Sequence, residues 1–148
     1  YESRIVFCKS GGLKYMARQL RAGSKNKTPA DNKKKFGQGS VQQLYELAFC
    51  MCILTYELNK SQSVRADFAK DGASVQALVE LVSLAPREKV VRVALSSLRN
   101  LATCFAEEDP APTGTTRLDG KYFLSEMIAC GLMKAISLLR DRQFTDPD

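Results

Sequence analysis

From Arg87 to Phe105 the chain reads REKVVRVALSSLRNLATCF, and this stretch constrains the fold more than any other. Val91, Ala94, Leu95, Leu98, Leu101, Ala102 and Phe105 recur at steps of three and four, the spacing of an amphipathic α-helix. Glu88, Lys89, Arg92, Ser96 and Arg99 follow the same steps on the opposite side, while Val90, Val93 and Cys104 lie between the two sets and widen the apolar surface. Such a helix must be covered on both flanks and still keep one charged strip in water. That demand fits the inner helix of a stacked α-solenoid better than a surface helix of a compact bundle.

Three other stretches share one grammar: RIVFCKSGGLKYMARQL, RADFAKDGASVQALVELV and FLSEMIACGLMKAISLL. Each reads as a short apolar helix, a glycine break and a longer apolar helix. Gly12, Gly72 and Gly131 align at spacings of 60 and 59 residues. That is longer than the usual helical repeat of about 40–47 residues, and subtracting two loop-like insertions brings it back toward that range. Between the glycine units lie two long helical patterns, Val41 to Leu58 and Glu88 to Phe105. Short helix, turn, helix, long helix is the unit of an armadillo or HEAT-like array. The expected fold is therefore all-α, an α-solenoid of helical repeats wound as a right-handed superhelix. The competing reading is an unrelated helical bundle in which glycine breaks recur by chance.

The insertions stand out by composition. Residues 23–40, GSKNKTPADNKKKFGQGS, offer almost nothing to bury except Phe36 and read as a flexible insertion. Residues 107–119 hold two prolines, a glycine and an acidic start, and read as a second one. Ser40 is the expected N-cap of the helix from Val41 to Leu58, which reads as almost wholly buried, and either Ser74 or the neighbouring break at Lys70-Asp71-Gly72 starts the helix ending at Ala85-Pro86. The 148 residues, 45% of them hydrophobic, suffice for a single packed segment. An opening Tyr1 with no leader-like run behind it reads as part of a longer chain, without a secretion signal. Leu47 to Thr55 is too short to cross a bilayer. Five cysteines scattered on helical patterns fit a reducing, cytosolic compartment rather than a disulfide framework.

Histidine is absent, which excludes Ser-His and Cys-His nucleophile pairs and imidazole metal ligands. Cys50 and Cys52 project to different sides of a helix, and Glu107-Glu108-Asp109 lacks the spacing and glycine of a calcium loop. No Walker-type phosphate loop occurs. The residues thus give no catalytic site, no cofactor and no metal, and point to a scaffold rather than an enzyme.

Two groups are candidates for partner binding. Of a net charge of +6, five units fall between Arg21 and Lys35, carried largely by Lys25, Lys27, Lys33, Lys34 and Lys35. Such a loop attracts polyanions, whether acidic lipid, nucleic acid or an acidic protein surface, although simple solubilisation also explains it and is preferred. Its single aromatic argues against a nucleic-acid stacking platform. The second group is Arg92, Arg99 and Asn100, if their strip faces the inner wall of the spiral. Asn100 occupies the place where peptide-reading armadillo proteins bond a peptide backbone, but the chain has no tryptophan to complete such a groove.

Beyond these general patterns, PREKVVRVALSSLRN (Pro86 to Asn100) resembles the H-subunit family of the vacuolar-type proton-translocating ATPase (V-ATPase). QLYELAFC and Leu54-Thr55 before it, and Met127-Ile128-Ala129-Cys130 after it, complete the resemblance, which runs from about Arg4 to Phe144. In that family a helix of the form xKEKVxRxxLxxxRNL follows one resembling YQxxFCxWxLTF; Met51-Cys52 stand in the tryptophan region here, and the two insertions exceed the expected loops.

The resemblance implies a non-catalytic regulatory subunit, cytoplasmic and held peripherally on vacuolar, endosomal or lysosomal membranes only through the pump. It would support coupling of ATP hydrolysis to proton transport and silence the detached catalytic sector. Its implied partners are the E and G subunits of the peripheral stalk, other catalytic-sector subunits and the membrane sector's a-subunit, with no small-molecule substrate and no nucleic acid. This segment would be the clamp on the stalk, within the larger N-terminal helical-repeat domain; a smaller C-terminal domain beyond Asp148 would do the inhibitory bridging. The runner-up is an armadillo-type protein-interaction adaptor unrelated to the pump.

Overall fold

The computed structural model describes residues 2–25, 38–105 and 116–144. These residues are all-helical: α1 (Glu2–Lys9), α2 (Gly12–Lys25), α3 (Gln38–Thr55), α4 (Gln62–Ala69), a 3₁₀ turn (Lys70–Gly72), α5 (Ala73–Leu84), α6 (Glu88–Ala102), α7 (Gly120–Ala129) and α8 (Leu132–Leu139).

Local chemistry sets several boundaries. Ser61 caps α4 by accepting from the Val64 amide, and Asp119 caps α7 by accepting from the amides of Lys121 and Tyr122 at 3.0 and 3.2 Å. Gly72 and Gly131, at φ of 58° and 88°, precede α5 and α8 directly, so a left-handed glycine starts α5 and Ser74 lies buried inside the helix. In the first unit the equivalent residue is Gly11, at φ 86°, one place before the Gly12 that the aligned stretches suggest. Ser40 likewise falls within α3, which starts at Gln38. The insertion expected over 23–40 is therefore narrower, since α2 runs to Lys25 and α3 takes up its last residues; what lies between is outside the described residues. Of the stretch 107–119, only 116–119 is described.

Packing repeats as the helices do. α1 lies against α4, α2 against α5, α3 against α6, and α5 against α8. Within the units α1 meets α2, α2 meets α3, α4 meets α5, α5 meets α6 and α7 meets α8. Each of these helices thus stacks on its counterpart three helices later, the relation a helical-repeat array requires. One continuous core threads the stack through Leu20, Met51, Phe68, Leu78, Leu81, Leu101, Phe123 and Met127, all less than 2% exposed. Polar ties reinforce the joints. Arg142 donates to the carbonyls of Val82 and Ser83 at 3.1 and 2.9 Å and to that of Ala85, capping the end of α5 from the C-terminal segment. No single described helix is long and apolar enough to cross a membrane, and α7 and α8 bend by 72° across Cys130-Gly131.

Two burial expectations are corrected. α3 is not almost wholly buried: Gln42, Gln43, Glu46, Phe49 and Cys50 are exposed, because α3 packs on α2 and α6 and nothing described covers its remaining sides. Phe105 is 70% exposed rather than part of the α6 stripe. The helix ends at Ala102, where Thr103 donates its hydroxyl to the Arg99 carbonyl, and Asn59 accepts from the Phe105 amide at 2.9 Å and holds the backbone off the helical path.

Candidate functional site

α3 and α6 run parallel in a register fixed at both ends. Lys89 Nζ lies 3.5 Å from Gln42 Oε1 near their starts, and Asn100 Nδ2 donates to Thr55 Oγ1 at 2.8 Å near their ends. Two rows of side chains therefore lie side by side on the outward face. On α3 and its following turn, Tyr45, Phe49 and Tyr56 recur at steps of four and seven; Phe49 and Tyr56 are exposed and Tyr45 is half-buried. On α6, the exposed cations Lys89, Arg92 and Arg99 recur at steps of three and seven. The rows touch: Lys89 Nζ stands 4.8 Å over the Tyr45 ring, which stacks on Phe49 with centroids 6.0 Å apart.

The charge of this wall is positive where it is most exposed. Arg92 donates to Glu88 at 2.6 and 2.9 Å as an i,i+4 pair on the surface, and Glu46 accepts from Gln42 at 3.0 Å. Arg99 is exposed in the last turn of α6, where its cation also suits the helix dipole. Asn100, by contrast, is turned into the seam: it bonds Thr55, itself buried and donating to the Cys52 carbonyl at 2.6 Å. It ties two units together instead of presenting its amide outward. Of the sequence candidates the structure brings Arg92 and Arg99 onto one wall and takes Asn100 out of it. Lys25 is the last residue of α2, and Lys27, Lys33, Lys34 and Lys35 lie outside the described residues.

The three aromatics are the members of the wall that the sequence does not single out, and Lys89, though on the same charged strip as Arg92 and Arg99, is not among the partner-binding candidates read from it. The available signal is the polar Gln42 and Glu46 in the same helical phase as Phe49, which marks that side of α3 as open to water.

A small cleft of about 90 Å³ opens between the α1–α2 turn and the start of α5, lined among others by Cys8, Lys14, Asp67, Lys70 and Ser74. One buried Asp67 oxygen has no hydrogen-bond partner there. Burial, then the nearby carboxylates of Asp67 and Glu57, push the Cys8 thiol up to about 11, so at neutral pH it is protonated and not nucleophilic. The volume suits ordered water, being below the ~300 Å³ where small-molecule pockets begin. No cluster of three or more potential metal ligands forms among the described residues.

At the α7–α8 end, Met133 and Ile136 are exposed, whereas Leu13 and Met16, at the same distance from the left-handed glycine in the first unit, are buried, as are Ser74 and Ala77 in the second.

The profile of a family described as the V-ATPase H subunit matches residues 1–148, the whole chain. The chain belongs to the V-ATPase H-subunit family. Among curated relatives, a probable H subunit of the V-type proton ATPase from rice (Oryza sativa subsp. japonica) is 30% identical over 111 residues, 75% of this chain. The V-type proton ATPase H subunit of Dictyostelium discoideum is 29% identical over 109 residues and that of Drosophila melanogaster 28% over 109, each covering 74% of this chain. The chain spans about 20% of the length of these relatives. No solved structure matches it. The resemblance drawn from REKVVR, LRNL and the α3 pattern is thus the family itself, and α3 and α6, which carry those motifs, are the helices that build the exposed wall.

Proposed function

We propose that this chain is part of a non-catalytic regulatory subunit of the V-type proton pump and that it serves as a rigid helical scaffold on the peripheral stalk. The observation that carries the reading is family membership over the whole chain, joined to a stack of helical units whose third helices form one exposed wall. The E and G subunits of the stalk are the partners it would clamp, with other catalytic-sector subunits and the membrane sector's a-subunit within reach of the longer protein. Holding the stalk is how it would support coupling of ATP hydrolysis to proton transport and the silencing of the detached catalytic sector. Its place would be the cytoplasmic side of an endomembrane, reached only through the pump.

A scaffold of this kind needs rigidity rather than catalytic groups. The continuous core and the ties between units, Asn100 to Thr55 and Arg21 to Glu80 at 3.2 Å, with Arg4 to Glu57 closing α1 onto the turn after α3, make the segment a single lever able to pass force along its length. The test is capture of purified, folded E and G subunits by this segment and by the full-length protein at low and at moderate salt. Capture that survives moderate salt is the expected result. Failure of the full-length protein to capture either one would overturn the stalk reading and leave a general protein-interaction adaptor.

A further inference from the structure

We propose that the outward wall of α3 and α6 is a docking surface for an amphipathic helix bearing an acidic stripe beside an apolar one. The proposal deepens the stalk-scaffold reading and rests on it for the natural partner, but the chemistry of that partner comes from the wall itself. Phe49 and Tyr56 offer exposed aromatic area with Tyr45 stacked behind, and Lys89, Arg92 and Arg99 form a parallel cationic row on the neighbouring helix. An aromatic row next to a cationic row is complementary to an apolar stripe next to a carboxylate stripe.

Two observations select a helix over an extended peptide. An extended chain brings unpaired backbone N–H and C=O groups that need polar partners, and the asparagine placed to supply them, Asn100, donates instead to Thr55 inside the seam. A helix satisfies its own backbone and presents only side chains. Spacing agrees as well: from Lys89 to Arg99 the cationic row covers roughly 15 Å at about 1.5 Å per residue, and its steps of three and seven are those at which a helix repeats its own faces. Three turns of partner helix, with Glu or Asp at i, i+3 and i+10, match it. The two carboxylates of α3 and α6 closest to the rows, Glu46 and Glu88, are each held by a neighbour on their own helix, so they do not form an acidic patch of their own.

The probe is a fluorescein-labelled 20-residue helical peptide with a Leu/Phe stripe beside a Glu stripe, titrated against the full-length protein by fluorescence anisotropy. Its counterparts carry Lys in place of Glu, or prolines that forbid the helix. The expected result is binding of the acidic helix at least tenfold tighter than either counterpart, weakening with salt. Arg92→Glu/Arg99→Glu should cost at least tenfold and shift preference toward the Lys peptide, and Phe49→Ser should also weaken binding. Lys134→Glu/Arg140→Glu, at exposed cations of α8 and the residue after it, should leave it unchanged. Equal loss in the α8 variant, full binding by the wall variants, equal binding of the proline peptide, or no binding of the acidic helix would each overturn the proposal. The same variants in the capture of the E and G subunits separate the two readings. Capture that ignores the wall overturns this proposal and leaves the stalk scaffold standing, whereas wall-dependent peptide binding without capture of E and G upholds the surface and removes the stalk.

Discussion

Substituting alanine at Gly120, Gly131 and Gly12 in turn tests how the units are joined, because the structure gives each glycine a different reason. A Cβ on Gly120 would lie 2.1 Å from the carbonyl oxygen of Ala102 and 2.7 Å from its carbon. Both atoms belong to the backbone at the end of α6, and the Gly120 amide also donates to the Cys104 carbonyl at 3.0 Å, so neither side can yield without opening the joint between α6 and α7. Forcing atoms into a packed site costs about 1–3 kcal/mol, and a backbone obstacle places Gly120→Ala at the upper end or beyond. Gly131 has open space around its Cβ position but sits at φ 88°, so Gly131→Ala costs about 1–2 kcal/mol in left-handed strain alone. At Gly12 the obstacle is the Phe7 ring at 2.4 Å, the end of a side chain 40% exposed and able to swing away. Gly12→Ala also gains helix propensity of up to about 1 kcal/mol in the first turn of α2, for a net effect within about 0.5 kcal/mol of zero. Urea denaturation followed by circular dichroism reads all three as midpoint shifts at unchanged slope. The order expected is Gly120→Ala far below Gly131→Ala, with Gly12→Ala near the parent. A Gly120→Ala midpoint equal to the parent's, or Gly12→Ala as the worst of the three, would show that the close backbone approach at Gly120 does not hold the α6–α7 joint.

Four further outcomes follow from the polar ties and the cleft. Asn100→Ala removes the bond to Thr55 and should lower stability by about 0.5–1.5 kcal/mol in the same assay while leaving acidic-helix binding at parental strength, since its amide points into the seam. Arg142→Ala withdraws a charged donor from three carbonyls at the end of α5 and should cost about 1.5–3 kcal/mol, with faster hydrogen exchange in the last turn of α5. Iodoacetamide at about pH 8 should modify exposed Cys50 well before buried Cys8, with mass spectrometry of the peptides as the readout. Because the folded Cys8 thiol keeps its proton up to about 11 against an ordinary value of 9.0, its contribution to stability is complete below pH 9 and is lost as pH rises toward 11. The urea midpoint of the parent should therefore fall further between those pH values than that of Cys8→Ala.

The α6 stripe is the clearest case of fold legible in sequence. Val91, Ala94, Leu98 and Leu101 are buried as their spacing requires, and Val90 and Ser97 are buried beside them, which is the wide apolar surface that asks for neighbours on both flanks. The glycine grammar also carries over, because a left-handed turn between two helices leaves a compositional mark that survives without tertiary context. Its register in the first unit does not, since Gly11 and Gly12 are chemically identical and only the backbone conformation separates them. Cap positions are harder. Asp119 stands before Lys121-Tyr122-Phe123 like many N-caps, but lies at the end of a stretch whose prolines and acids read as loop throughout.

The candidate wall is half legible. Arg92 and Arg99 can be placed on one strip of α6 by counting residues, and so can Asn100, yet counting cannot say that the Asn100 amide is spent on Thr55, 45 residues earlier. For Tyr45, Phe49 and Tyr56 the local sign is the polar Gln42 and Glu46 in phase with Phe49, which marks a side open to water but does not say which helix borders it. The period of each helix and the breaks between helices are encoded within a few turns of chain, and the repeat and the family in how those local patterns recur along it. Which helix covers which is set by long-range packing: α3 meets α2 and α6, and the face left over becomes the wall. Burial depends on the elements that arrive from elsewhere in the chain, and the same side chain is core or surface according to whether one does.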